Sequence, residues 1–319
     1  MAIANEVVTE LETLIRVYRD GSVERSQAPI VPPSLQDPET GVSSKDITIS
    51  ANPPISARIY LPNLSDPSPQ KLPVLVYFHG GGFCIESAFN LTETTFTNRL
   101  VHHAKVVAVS IEYRLAPEHP LPIAFEDCWA GLQWVAAHAG PNGINEEPWL
   151  SYADFERLYI GGDSTGGSLA HYVVMRAGQE GVSNNVKISR TFYTHPYFWG
   201  SEAVGSEPTE HREKLLPYKV WIYLYPTVAG GIDSPMINPV APGAPSLAGL
   251  GCSNLLVSVS EKDLLWSRGI SFYNAVKESG WKGEAELIEV EGEGHAFHIV
   301  NYESESAKKF IVRLASFLK

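Results

Sequence analysis

The chain has 319 residues, a formal net charge of −12 and 44% hydrophobic residues. That balance describes a folded globular protein and excludes a nucleic-acid or anionic-membrane binder, because either partner would be repelled over the whole surface. Three cysteines, Cys84, Cys128 and Cys252, with no CxxC spacing, give neither a disulfide framework nor a zinc site, and three buried free thiols are expected. The N-terminus has acidic residues where a secretory signal needs a basic segment and an apolar run, and no stretch approaches the ~20 apolar residues of a membrane span. A cytosolic location is the expectation. Asn63-Leu64-Ser65 and Asn90-Leu91-Thr92 fit the glycosylation pattern, but without an export signal they read as chance matches.

In chain order, Val7, Leu11, Leu14, Ile15 and Val17 stand at helical spacing, and the proline-rich stretch 28–38 stops that helix, so residues 1–45 read as an N-terminal arm. Short alternating runs at 46–50 and 57–61, separated by Asn52-Pro53-Pro54, predict an antiparallel pair of strands. The continuous apolar runs 73–78 and 105–111 suit strands buried on both faces. Further strands are expected at 158–160, 188–193, 255–259 and 285–290, with helices at 124–139, 167–177, 270–279 and 304–318. This alternation predicts one α/β unit with a mostly parallel, doubly wound sheet, its core spanning 46–195 and 246–319. Between 196 and 245 the alternation gives way to aromatic, proline and glycine residues, which predicts a cap inserted over the sheet.

The chemistry starts at Gly162-Asp163-Ser164-Thr165-Gly166, a G-x-S-x-G run lying between an expected strand and an expected helix. Small residues flank the serine because a strand turning sharply into a helix strains the backbone and leaves the hydroxyl exposed. His79-Gly80-Gly81-Gly82 follows the strand ending at Phe78 and brings backbone N–H groups to a substrate oxygen with no side chain between. Gly81, Gly82 and the amide of Thr165 are therefore the candidate oxyanion hole, and His79 is expected to fix the loop. A phosphate loop is the rival reading of these glycines, but no Gly-Lys-Ser/Thr follows. Nucleophile, acid and base run in that order in this kind of site, and downstream of Ser164 the only aspartates are Asp233 and Asp263. Asp263 stands just past an expected strand; Asp233 looks like a turn residue, and Glu261 is a fallback acid. His295, in the loop after the last expected strand, is the candidate base; His298 is its competitor, while His171 and His195 read as packing residues.

These motifs, with Tyr113-Arg114-Leu115-Ala116-Pro117-Glu118-His119, resemble the plant carboxylesterase family, the hormone-sensitive-lipase-like branch of the α/β-hydrolases. Segments 16–25, 198–202 and 229–235 make the chain look most like that family's 2-hydroxyisoflavanone dehydratase group, and it is similar to the alkaloid cyclases of the same stock. The resemblance implies an α/β-hydrolase fold and a Ser164–His295–Asp263 triad; no metal-ligand cluster and no dinucleotide fingerprint stands in the sequence, so no cofactor or metal is expected. Dehydratases of the group often carry threonine at the nucleophile position and alanine as the third small residue of the oxyanion loop; Ser164 and Gly82 favour ester cleavage instead. The gibberellin-receptor branch lacks the catalytic histidine, whereas His295 is present.

Three functions are thus weighed: a serine carboxylesterase acting on small esters, a 2-hydroxyisoflavanone dehydratase or related cyclase using the same pocket, and a catalytically silent receptor. All three take a small molecule. Phe83, Phe198, Trp199, Trp221, Tyr225 and Trp266, with Tyr197 and Tyr223, are candidates for an apolar pocket wall, and the competing reading is that they only pack the cap. Oligomeric state is open.

Overall fold

In the computed structural model, residues 6–64, 71–141 and 143–319 are described. The N-terminal residues form a small antiparallel sheet of β1 (Val7–Leu11), β2 (Ile15–Tyr18) and β3 (Val23–Arg25), not the helix expected from their spacing. The period that wins is two: Ile15 and Val17 are buried while Arg16 between them is exposed. The β-branched Val7, Val8, Thr9, Ile15 and Val17 favour strand, and a turn with Gly21 at φ +85° folds β3 back onto β2.

The main sheet holds eight strands: β4 (Ser43–Ala51), β5 (Pro54–Leu61), β6 (Leu72–Phe78), β7 (Val107–Glu112), β8 (Ala153–Asp163), β9 (Ile188–Thr194), β10 (Cys252–Ser260) and β11 (Glu284–Val290). Their order is β11-β10-β9-β8-β6-β7-β5-β4. The expected antiparallel pair is β4 with β5, β5 is also antiparallel to β7, and every other neighbouring pair is parallel. The α/β fold class expected from the alternation is the one observed. Alternating side chains of β6 enter opposite layers: Val74, Val76 and Phe78 join one apolar cluster, Leu75 and Tyr77 the other. Each such burial contributes about 1.5–3 kcal/mol, so the central strands are where the sheet is anchored.

Helices cover both faces. α1 is Leu91–Ala104, α2 Ile123–Ala137, α3 Thr165–Glu180, α4 Leu216–Leu224, α5 Trp266–Glu278, α6 Phe297–Val300 and α7 Glu305–Phe317. Residues of α2, α3 and α5, such as Phe125, Leu169 and Phe272, pack the first face; Phe96 of α1, Phe297 of α6 and Leu314 of α7 pack the second. α1 has no counterpart among the expected helices, because its inner face carries Glu93, Thr97, Asn98 and Arg99, all buried, which hides the apolar period. A signal existed: Asn90 caps it by accepting the N–H of Glu93, a simple N-cap. That role buries Asn90 completely, so the second glycosylation pattern is unavailable in the fold. The first ends at Ser65, outside the described residues.

Segment 196–245 adds no strand to the main sheet and folds around α4. All three cysteines are buried and free. No helix among the described residues is long and apolar enough to cross a membrane.

Candidate active site

β8 runs directly into Ser164, which is held at φ 50° and ψ −118°, a conformation that non-glycine residues rarely adopt. α3 starts at the next residue, and a Cβ on Gly166 would fall 2.0 Å from the carbonyl oxygen of Phe78, so only glycine lets α3 pass the end of β6 so closely. The N–H of Ser164 donates to Thr194 O at 2.8 Å, fixing the turn to the end of β9.

Two other strand ends deliver the partners. Asp263 lies just beyond β10 and His295 between β11 and α6. The hydroxyl of Ser164 donates to His295 Nε2 at 2.8 Å, and His295 Nδ1 donates to Asp263 Oδ2 at 2.7 Å. Asp263 Oδ1 accepts the N–H of Leu265 at 2.9 Å, which orients the carboxylate. Burial alone pushes Asp263 up, but the charge and hydrogen bond of His295 outweigh it and hold the carboxyl below its ordinary value. Desolvation likewise works against the charged form of His295, and Asp263 outweighs that too, lifting the imidazole above 6.5. Asp233 instead accepts from the Ser201 N–H and Asn238 at a turn, and Glu261 accepts the N–H of Gly292. His298 is fully buried against Phe96 and Phe310, with burial pushing it down to about 3; His195 donates to or accepts from Ser260 Oγ, and His171 packs against Phe198 and Phe272.

The glycine loop after β6 is built to stay in place. Gly81 has φ +93°, and a Cβ there would lie 2.3 Å from Ile85 O. The Tyr113 hydroxyl is shared between the carbonyls of His79 and Gly80, each at 2.9 Å, and its ring stacks on His79 at 4.2 Å. Burial pushes His79 down to about 4, so it serves as a neutral brace. Arg114 pairs with Asp127 at 2.7 Å. Neither the Gly81 nor the Gly82 amide donates to another described residue, and the amide of Thr165, in the first turn of α3, has no intrahelical acceptor.

Residues 75–299 match the family model described as alpha/beta hydrolase fold. The chain belongs to the α/β-hydrolases. It is 53% identical to a 2-hydroxyisoflavanone dehydratase of Glycyrrhiza echinata, over 99% of this chain and 97% of that one. It is 46% identical to Hydrolase 3 of Catharanthus roseus over the whole of both chains. Among solved structures, an esterase of Pyrobaculum calidifontis superposes with a TM-score of 0.67 at 27% identity, covering 86% of this chain and 84% of the esterase.

In this α/β-hydrolase, Ser164, Asp263 and His295 open on a cavity of about 410 Å³, together with Gly81 and Gly82. Its roof comes from both ends of the expected cap: Leu14 of the β1–β2 turn, and Leu216, Pro217 and Val220 of α4. Lys219 and Glu12 pair across the two segments at 2.7 Å. The aromatic wall expected from the sequence is a correction. Phe83, Phe198, Trp199 and Trp221 are at most 2% exposed and pack the interior, and Tyr225 and Trp266 also lie off the cavity. Large rings bury more surface inside the layers than on a wall, so they are drawn into packing. Of the aromatics singled out, Tyr197 reaches the cavity.

Sequence reading missed an acidic wall. Glu86, Glu93 and Asp163 line the same cavity. The Tyr77 hydroxyl donates to Asp163 Oδ1 at 2.7 Å and lies 3.3 Å from Glu93 Oε2. Burial first, then the charge of Asp163 and Glu86, pushes Glu93 well above 4.5, and burial pushes Asp163 up to about 6. A carboxyl raised in the fold binds its proton more tightly folded than unfolded, so stability is intact below about 4.5 and is lost as the pH climbs. Glu93→Gln removes that loss. Thermal melts are expected to show the variant about 3–8 °C above the parent at pH 8 and level with it at pH 4; equal differences at both values would disprove a raised Glu93.

Proposed function

We propose that the protein is a serine carboxylesterase that cleaves small esters through an acyl-enzyme on Ser164. The observation that carries this is the unbroken Asp263–His295–Ser164 relay, at 2.7 and 2.8 Å, opening on a cavity beside the Gly81–Gly82 loop. His295 Nε2 takes the hydroxyl proton as Ser164 Oγ attacks the ester carbonyl and returns it to the leaving alcohol; water then repeats the cycle on the acyl group. The amides of Gly81, Gly82 and Thr165 hold the developing oxyanion, each donor being worth roughly 2.7–4 kcal/mol of barrier. Asp263 keeps the imidazole tautomer and balances its positive form. The β1–β2 turn and segment 196–245 act as the cap, and no cofactor or metal is required. Three buried free thiols accord with a cytosolic setting.

Hydrolysis of a short-chain p-nitrophenyl ester series, together with labelling by a fluorophosphonate and intact-mass detection, tests the reading. Turnover with one label per chain is expected; a fully active protein that takes no label overturns it. A second reading is favoured by one finding, the 53% identity to a dehydratase. In that case the same amides hold a ketone oxygen, His295 removes the proton alpha to it, and hydroxide leaves as water. Incubation with 2-hydroxyisoflavanones separates the two, since an isoflavone formed no faster than spontaneously excludes the lyase.

A further inference from the structure

We infer that Glu86 is a specificity residue of this cavity, placed to accept a hydrogen bond from a hydroxyl group carried by the substrate. The inference rests on the esterase reading for its turnover assay and on the cavity alone for its binding assay.

Glu86 sits immediately beside the oxyanion loop: a Cβ on Gly81 would fall 2.9 Å from Glu86 Cβ. It holds φ +65°, a strained conformation for a glutamate, so the fold holds its backbone in this place against that cost. Its Oε2 accepts from Asn90 Nδ2 and from Thr92 Oγ1 at 3.4 Å, donors at the start of α1. Oε1 has no donor among the described residues, yet it is not sealed from solvent, and Glu86 lines the cavity that holds Ser164. One carboxylate oxygen is thus anchored and the other is offered to whatever occupies the cavity.

A second group points the same way. Glu93 is 1% exposed, lines the same cavity, and its Oε1 lacks any hydrogen-bond partner among the described residues. A buried polar oxygen left without a partner in a desolvated wall is stabilised by a ligand that hydrogen-bonds to it, and a hydroxyl does so whether the carboxyl carries its proton or not. Burial raises the Glu86 carboxyl above its ordinary value, as expected of a carboxylate with too few donors.

The charges around the cavity select among donors. A carboxylate on the substrate would lose its water beside three acidic side chains, Glu86, Glu93 and Asp163, against which the lining sets Lys262 alone among lysines and arginines. An ammonium would meet Lys262, which also lines the cavity. A neutral hydroxyl, phenolic or alcoholic, satisfies the open acceptor with the least desolvation. The substrate class is therefore an uncharged ester that carries a free hydroxyl away from the scissile bond.

The test compares ortho-, meta- and para-hydroxyphenyl acetates with their methoxy counterparts, in the parent protein, Glu86→Gln and Glu86→Leu. The parent is expected to favour the hydroxyl ester by about tenfold in kcat/KM at one ring position at least. Glu86→Leu is expected to bring that ratio near one, and Glu86→Gln, whose amide oxygen still accepts, to retain most of it. A parent ratio near one at every position, or a ratio that survives Glu86→Leu, overturns the inference. Equal losses on both esters in Glu86→Leu make Glu86 a structural brace and overturn it too. If the parent cleaves no ester, the esterase reading falls by itself, and the inference is read from binding. Calorimetry with hydroxy- and methoxyacetophenones must then show tighter hydroxyl binding that Glu86→Leu abolishes; no hydroxyl preference refutes it, and preference for an aminomethyl analogue replaces it with a cation site.

Discussion

Ser164→Ala is expected to lower kcat on a short-chain aryl ester by about 10⁵–10⁶-fold while leaving the melting temperature within about 2 °C of the parent. The two halves have separate causes. In the proposed mechanism the hydroxyl forms the acyl bond, and its single described side-chain hydrogen bond is to His295 Nε2 at 2.8 Å, so its loss would remove the nucleophile and leave the amides to act on bound water alone. The fold does not lean on Oγ: it makes no capping bond to α3, and alanine meets the same φ of 50° that serine does. Stopped assays at high enzyme concentration, with melts on the same samples, measure both halves. Retention of more than a tenth of the parent rate would remove Ser164 from the chemistry. Loss of activity with a fall of 10 °C or more would make it a structural residue.

Most of the candidate catalytic constellation was readable because its members follow strands with apolar runs, which buried parallel strands announce, although β11 before His295 alternates glutamate with apolar residues. Phe78, Asp163 and Ser260 close β6, β8 and β10, and the residues just beyond them, His79, Ser164 and Asp263, converge since parallel strands end at the same edge. His295 follows β11 at the same edge. The residues that failed to read correctly fail for physical reasons. In the N-terminal arm, Leu11 and Ile15 stand four apart, a spacing that suits one face of a helix or of a strand, Leu14 falls in the turn between β1 and β2, and pairing of β2 with β1 and β3 decides the matter, which a local pattern does not contain. α1 is invisible as an amphipathic helix because its buried side is charged and polar, Arg99 pairing with Glu39 and Glu303 at 2.9 and 2.7 Å. Composition placed rings on the pocket wall, where the fold puts Leu14, Leu216, Val220 and three acids. Those acids, spread over Glu86, Glu93 and Asp163, look like ordinary polar residues until the loop after β6, the first turn of α1 and the end of β8 are brought together.

Asp263→Asn is expected to lower kcat by about 10⁴-fold near neutral pH, less than loss of the nucleophile but more than any change to the cavity wall. An asparagine amide facing Nδ1 donates where the carboxylate accepted, so the imidazole proton is forced onto Nε2 and points at Ser164 Oγ, the tautomer that cannot act as base. The pH profile carries the sharper signature. As the proposed base, His295 would work as a neutral imidazole, so kcat/KM is expected to rise with pH through its pKa, which desolvation depresses and Asp263 lifts above 6.5. With the Asp263 carboxylate gone, desolvation is opposed only by the smaller effect of the Asp163 charge, and the acidic limb is expected to move to lower pH even as the plateau drops. Stability gives an independent reading with the opposite limb. A histidine raised in the fold contributes stability that is present below 6.5 and fades as the pH rises through the folded value. The melting-temperature deficit of Asp263→Asn should therefore be larger at pH 6 than at pH 9. A limb that stays in place, together with a deficit independent of pH, would mean that Asp263 holds the loop and does not tune the imidazole.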